Sequence, residues 1–144
     1  MCDFIVISTN SPEDLSKIQH DTVCFSKDIG FESPLSLLKY DNQYRLFEKN
    51  SPCGCFFRVL DPNVGMIEPQ EWLTEDEDSL DNTKFVYDTI KCLLADSYQV
   101  DCISIWTTQQ PDDNVHSYGK INLNKISRNE FAFLFQSYFE YCLE

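Results

Sequence analysis

Residues 74–107, TEDEDSLDNTKFVYDTIKCLLADSYQVDCISIWT, place two elements of different period end to end. Thr74-Glu75-Asp76-Glu77 has the form of a capping box, in which the threonine hydroxyl accepts from the third helical N–H and the glutamate reaches back. The acids Glu75 to Asp78 fall in the turn where the helix dipole favours negative charge. Beyond them Thr83, Val86, Ile90, Leu93 and Leu94 share one face at a period of 3.6, with Lys84, Asp88 and Lys91 pointing away. The spacing predicts a helix from Thr74 to about Ser97. Gln99 to Thr107 is β-branched and apolar, which reads as a strand. A helix with one apolar stripe, running straight into a strand, needs a sheet to lie on.

Outward from this pair, Asp3 to Thr9 is a second strand, because Phe4-Ile5-Val6-Ile7 is an unbroken apolar run. Ser11-Pro12-Glu13-Asp14 reads as the start of a short helix ending near His20, with Leu15 and Ile18 inward. Val23 to Phe25 is a brief strand. Gln43 to Lys49, alternating Tyr44 and Leu46 against Arg45 and Phe47, and Cys55 to Leu60 suggest a hairpin around the turn at Asn50 to Gly54. Val115 to Leu123 reads as an outer strand. Ser127-Arg128-Asn129-Glu130 is a second capping-box pattern, followed by Phe131, Leu134, Phe135, Tyr138 and Cys142 in a narrow helical arc. Six aromatics lie between Phe131 and Tyr141, more than one buried stripe needs, and Phe133 falls opposite the stripe. That surplus permits a homodimer. The expected architecture is α+β: one domain over residues 1–144, a single antiparallel or mixed sheet of about five to six strands, and two long helices on one face.

The composition narrows the functions. The 144 residues carry 24 Asp and Glu against 11 Lys and Arg, a net charge of −13. Nucleic acid and anionic membrane surfaces require positive potential, so neither is expected as a partner. No apolar run approaches the ~20 residues of a membrane span. Met1-Cys2-Asp3-Phe4 lacks the basic flank of a secretion signal, which points to the cytoplasm. Seven cysteines fit a reducing compartment, and most sit inside apolar runs as small hydrophobes. Cys53-Gly54-Cys55 is the exception. Two thiols bracketing a glycine make half of a zinc site, and no second close pair of Cys or His completes it. A thiol-based metal or redox module therefore stands as an alternative, with a turn entering a strand as the simpler reading.

Catalysis is not expected. The two histidines, His20 and His116, are not spaced to meet a thiol or a metal ligand. Four glycines form no phosphate or dinucleotide loop, so neither a cofactor nor a resident metal is expected. Charge supplies a better lead. Between Asp61 and Thr83, 23 residues carry eight acids and no Lys or Arg. Within that stretch lie Met66, Ile67, Trp72 and Leu73, apolar groups that a solvated loop does not need. Acids around an aromatic anchor suit an interface with a basic protein: charge speeds and orients encounter, and the ring supplies contact. The candidate partner-binding residues are Glu68, Glu71, Trp72, Glu75, Asp76, Glu77, Asp78 and Asp81. A capped helix behind a solvated loop, with Trp72 packed inward, would carry the same residues.

Met1 to Thr9, Cys53-Gly54-Cys55-Phe56-Phe57-Arg58 and Val100-Asp101-Cys102-Ile103-Ser104-Ile105-Trp106 resemble segments of small bacterial proteins. In size, acidity and lack of a catalytic constellation the chain is similar to immunity proteins of interbacterial toxin systems. The resemblance implies a non-enzymatic cytoplasmic antitoxin that binds a cognate toxin and covers its active site, through a basic cleft. An acidic adaptor domain for another basic protein would use the same surface. Immunity proteins differ widely in fold, so the resemblance bears on function and not on architecture.

Overall fold

A computed structural model describes residues 4–28, 37–49, 57–60, 77–105, 115 and 117–144. The chain is built around β1 (Phe4–Thr9) and β5 (Val100–Ile105), which pair antiparallel with Phe4 opposite Ile105 and Thr9 opposite Val100. Both are buried along their whole length. That is why their apolar runs are unbroken: each has neighbours on both sides and cover on both faces. β3 (Asn42–Glu48) lies on the other side of β1, and β2 (Val23–Ser26) outside β3. β8 (Ser137–Cys142) flanks β5, and β6 (Ser117–Asn122) closes the far edge. The six strands run in the order β2-β3-β1-β5-β8-β6, antiparallel except for the parallel β8–β6 pair.

One long helix, α1 (Glu77–Ala95), covers one face of this sheet. Its Val86, Tyr87, Ile90 and Leu93 pack in one core with Ile5, Ile7, Tyr44, Leu46, Val100 and Cys102 from the strands. The helix ends in a Schellman turn. Tyr98 N–H bonds to the Leu93 carbonyl at 3.0 Å, Ser97 N–H to that of Leu94 at 3.0 Å, and Ser97 takes a left-handed φ of 72°. Phe4, Val6, Ile103, Ile105 and Tyr138 form a second cluster on the opposite face with Leu38 and Val115. The Arg45 guanidinium lies 4.2 Å above the Phe4 ring there.

Several expectations are overturned. Two long helices on the sheet are not found: among the described residues α1 is the sole helix longer than one turn, and the fold is mostly sheet. The Ser127–Glu130 pattern closes one turn, with Glu130 and Phe131 N–H both bonding to the Ser127 carbonyl. The chain is then drawn off: Phe133 N–H bonds to the Arg58 carbonyl at 2.9 Å and Phe135 N–H to that of Leu60 at 2.8 Å. This makes β7 (Phe133–Leu134), parallel to β4 (Val59–Leu60). Gln136, at φ 51°, turns the chain into β8. Aromatic residues fit a half-buried pleated surface better than a helix, and here that preference wins. Of the six rings, Phe131, Phe133, Tyr138 and Tyr141 are buried, and Phe135 and Phe139 are half-buried. Phe131 packs on Tyr87, Phe133 and Tyr141 at centroid distances of 5.3, 5.4 and 5.9 Å, and Phe133 is buried rather than outward-facing.

Among the described residues the hairpin expected between Gln43–Lys49 and Cys55–Leu60 is not found, since β3 pairs with β1 and β2 while Val59–Leu60 pairs with β7; residues 50–56 lie outside the described residues. The helix expected from Ser11 reduces to a single 3-10 turn, Leu15–Lys17, capped by Asp14, because two apolar residues cannot hold a longer one. Among the described residues no helix is long and apolar enough to cross a membrane.

Candidate functional site

α1 presents the described part of the acidic surface. Glu77 and Asp81 are four residues apart and Asp78 and Asp81 three, so the three carboxylates share one face. All three are exposed. Among the described residues none has an ion-pair partner. The turn below them is firmly mounted. Thr22 Oγ1 donates to Asn82 Oδ1 at 2.5 Å, which ties α1 to the start of β2. Thr83 Oγ1 donates to the Ser79 carbonyl at 2.7 Å and accepts from Arg58 N–H at 2.7 Å, which ties it to β4. Such a face can attract and orient a cation-bearing surface without rearranging. Glu68, Glu71, Trp72, Glu75 and Asp76 lie outside the described residues.

A second constellation has no counterpart among the residues singled out from the sequence. On the face opposite α1, Asp101 in β5 is fully buried beside fully buried Ser8 in β1. Ser8 Oγ donates to Asp101 Oδ1. Asp101 Oδ2 accepts from Tyr138 Oη at 2.6 Å and from Lys39 N–H at 2.9 Å, and Tyr40 N–H donates to Ser8 Oγ at 3.3 Å. Burial pushes the Asp101 carboxyl above its ordinary value, opposed by the bonds from Ser8, Tyr138 and Lys39. Burial, then the bond to Asp101, pushes the Tyr138 phenol up as well. Serine, carboxylate and phenol together resemble acid–base machinery, but each bond closes on the fold itself. With Ser8 and Asp101 sealed from solvent, the cluster clamps residues 39–40 onto the sheet. The sequence signal for it was an aspartate inside an otherwise apolar, doubly covered strand.

Beside the clamp a groove of about 530 Å³ runs past the end of β8, lined among others by Lys39, Tyr40, Tyr98, Gln99, Lys120 and Glu140. Lys39 and Glu140 form an ion pair across it, and this pairing raises the lysine above its ordinary value. The Glu140 carboxylate is thereby taken up by Lys39, and Lys120 has no ion-pair partner among the described residues.

Cys24, Cys92, Cys102 and Cys142 are free, and burial pushes the Cys102 thiol far up, away from thiolate chemistry. Cys53, Cys55 and His116 lie outside the described residues. Among those described, no three His, Cys, Asp or Glu side chains gather as a metal site. His20 Nδ1 accepts from Val23 N–H at 3.0 Å and from Thr22 N–H at 3.2 Å, and the ring stacks on Phe85 at 4.0 Å. It shapes the turn into β2.

Compared with known proteins, the chain matches no family model, no curated protein and no solved structure.

Proposed function

We propose that this chain is a cytoplasmic, non-enzymatic immunity protein that binds a cognate toxin through its acidic surface and occludes a basic active-site cleft. The observation that carries this reading is the exposed face of Glu77, Asp78 and Asp81, free of ion-pair partners among the described residues and mounted on an anchored helix. Like charges three and four residues apart destabilise a helix by a few tenths of a kcal/mol each, a cost that a complementary partner would offset. The acids of residues 61–76 would extend this face, and Trp72 would supply the apolar anchor.

The test begins with the neighbouring genes, among which this reading expects one for a toxin domain. Co-production should rescue growth of a host expressing that domain, and the purified proteins should associate at a salt-dependent rate. Combining Glu77→Gln, Asp78→Asn and Asp81→Asn should slow association roughly tenfold at low salt and little at high salt. Unchanged association at low salt, by a variant with native circular dichroism, would remove this face from the interface.

A further inference from the structure

The charge of this chain is segregated. From Val115 to Arg128 there is no Asp or Glu, while Lys120, Lys125 and Arg128 fall within the stretch, in a molecule of net charge −13. This is the segment that forms β6 and the turn after it. β6 pairs with β8 on one side, and among the described residues no strand pairs with its outer side. The opposite edge strand, β2, is packed against the 3-10 turn at Leu15–Lys17. Tyr118, Gly119 and Lys120 are exposed, and Tyr118, at 59%, is the one large exposed hydrophobic among the described residues.

The ladder fixes which backbone groups face out. Leu123 N–H bonds to the Cys142 carbonyl at 2.9 Å, so odd-numbered residues of β6 point toward β8 and even-numbered ones away. The Asn122 carbonyl is used by Lys125 N–H, which leaves the N–H and C=O of Tyr118 and Lys120 directed outward. Gly119 lies opposite Phe139, whose ring covers the missing side chain so closely that a Cβ would sit 3.1 Å from it. Among the described residues nothing pairs with these outward groups, so the strand offers an extended stretch for main-chain bonding.

We infer that β6 is a strand-addition site for an extended acidic peptide segment. Main-chain bonds to Tyr118 and Lys120 hold the added strand, the Tyr118 ring flanks it, and the ammonium groups of Lys120 and Lys125 select acidic side chains. Neither lysine has an ion-pair partner among the described residues, whereas Arg128 is already held by Asp88 at 3.0 Å. A second copy of the chain is the poorer occupant, because two such edges would bring cation against cation.

The experiment measures binding of a short, end-capped, fluorescein-labelled peptide alternating Val and Glu to the full chain. Its counterpart carries Lys for Glu. The Glu peptide should bind saturably and slow hydrogen exchange at the Tyr118 and Lys120 amides, and the Lys peptide should do neither. Lys120→Pro removes one outward donor and one charge while sparing the ladder to β8, and should weaken binding roughly tenfold. Lys125→Glu, outside the strand, should weaken it roughly threefold to fivefold and leave the fold untouched. Equal binding of both peptides, or full affinity in both variants, overturns the proposal. So does a sedimentation result in which the chain dimerises through β6 and excludes the peptide. Loss of toxin binding alone would leave this edge unaffected, so the two readings fail separately.

Discussion

Replacing Asp101 tests whether the buried clamp holds the sheet together. In Asp101→Ala the Tyr138 hydroxyl, the Lys39 N–H and the Ser8 hydroxyl all lose their acceptor. Each donor orphaned in a buried setting costs about 1–3 kcal/mol, and removing a charge that burial disfavours returns part of that. The net expectation is a loss of about 3 kcal/mol. Asp101→Asn behaves differently. Its carbonyl, placed at Oδ2, still accepts from Tyr138 and Lys39, and its amide donates to Ser8 Oγ, whose proton rotates away. This variant should stay within about 1 kcal/mol of the parent. The pH dependence follows from the direction of the shift. Burial raises the folded carboxyl above its ordinary 3.8, so the folded state favours the protonated form. The contribution of that preference is complete below 3.8 and is lost as pH rises through the folded value. Urea unfolding of parent and Asn variant from acid to neutral pH should therefore show the parent losing ground as pH rises. An Ala variant costing under about 1 kcal/mol would refute the clamp, given the orphaned-donor costs above. A parent that gains on the Asn variant with rising pH would show that the hydrogen bonds outweigh burial.

Ser97→Gly relieves a left-handed φ of 72° at the end of α1 and should stabilise the fold by about 0.5–1 kcal/mol in urea titrations; any destabilisation would contradict the Schellman assignment. Asp14, bonded to Ser16 and paired with Lys27 at 3.0 Å, has its carboxyl lowered to about 2, so its contribution is present above 3.8 and is lost as pH falls through about 2. The stability gap between parent and Asp14→Asn, followed by circular dichroism, should close over that acid range, and a gap unchanged across it would exclude the carboxylate as its source.

The legible parts of the sequence were those where one local pattern met no competitor. Phe4 to Ile7 and Val100 to Ile105 read as strands because both faces of each are covered. The stripe through Val86, Ile90 and Leu93 read as a helix face, and it lies in the core. Residues 127–142 were illegible because two local signals agreed on the wrong answer. A capping-box pattern preceded aromatics at helical spacing, yet Phe133 and Phe135 bond to carbonyls more than seventy positions earlier, Arg58 and Leu60. The same non-local pairing hid the β4–β7 ladder and suggested a hairpin in its place. The clamp was hidden similarly: Asp101 stands out in an apolar run, but its partner Ser8 lies 93 residues away and nothing local joins the two. Of the candidate surface, only Glu77, Asp78 and Asp81 fall where the structure describes them.

The course of α1 explains how one small chain keeps its two charged regions apart. Near its start the helix is tied to the β2 side of the sheet, through Asn82 and Thr22. One turn and a half further on, Arg128 grips Asp88 at 3.0 Å, and Tyr87 Oη donates to the carbonyls of Leu123 and Ile126, beyond the end of β6. The helix thus crosses from one edge of the sheet toward the other, with Glu77, Asp78 and Asp81 over the first and Lys120 and Lys125 at the second, where Asp88 is taken up by Arg128. Had the two regions been adjacent, they would have neutralised each other, as Lys39 and Glu140 do in the groove between β8 and residue 39. Separation preserves both potentials. A basic protein drawn to Glu77, Asp78 and Asp81 then meets the molecule from the β2 side and leaves the outward N–H groups of Tyr118 and Lys120 accessible. Substitutions at one region should accordingly leave binding at the other unchanged, and cross-interference between them would mean that the molecule has one charged interface and not two.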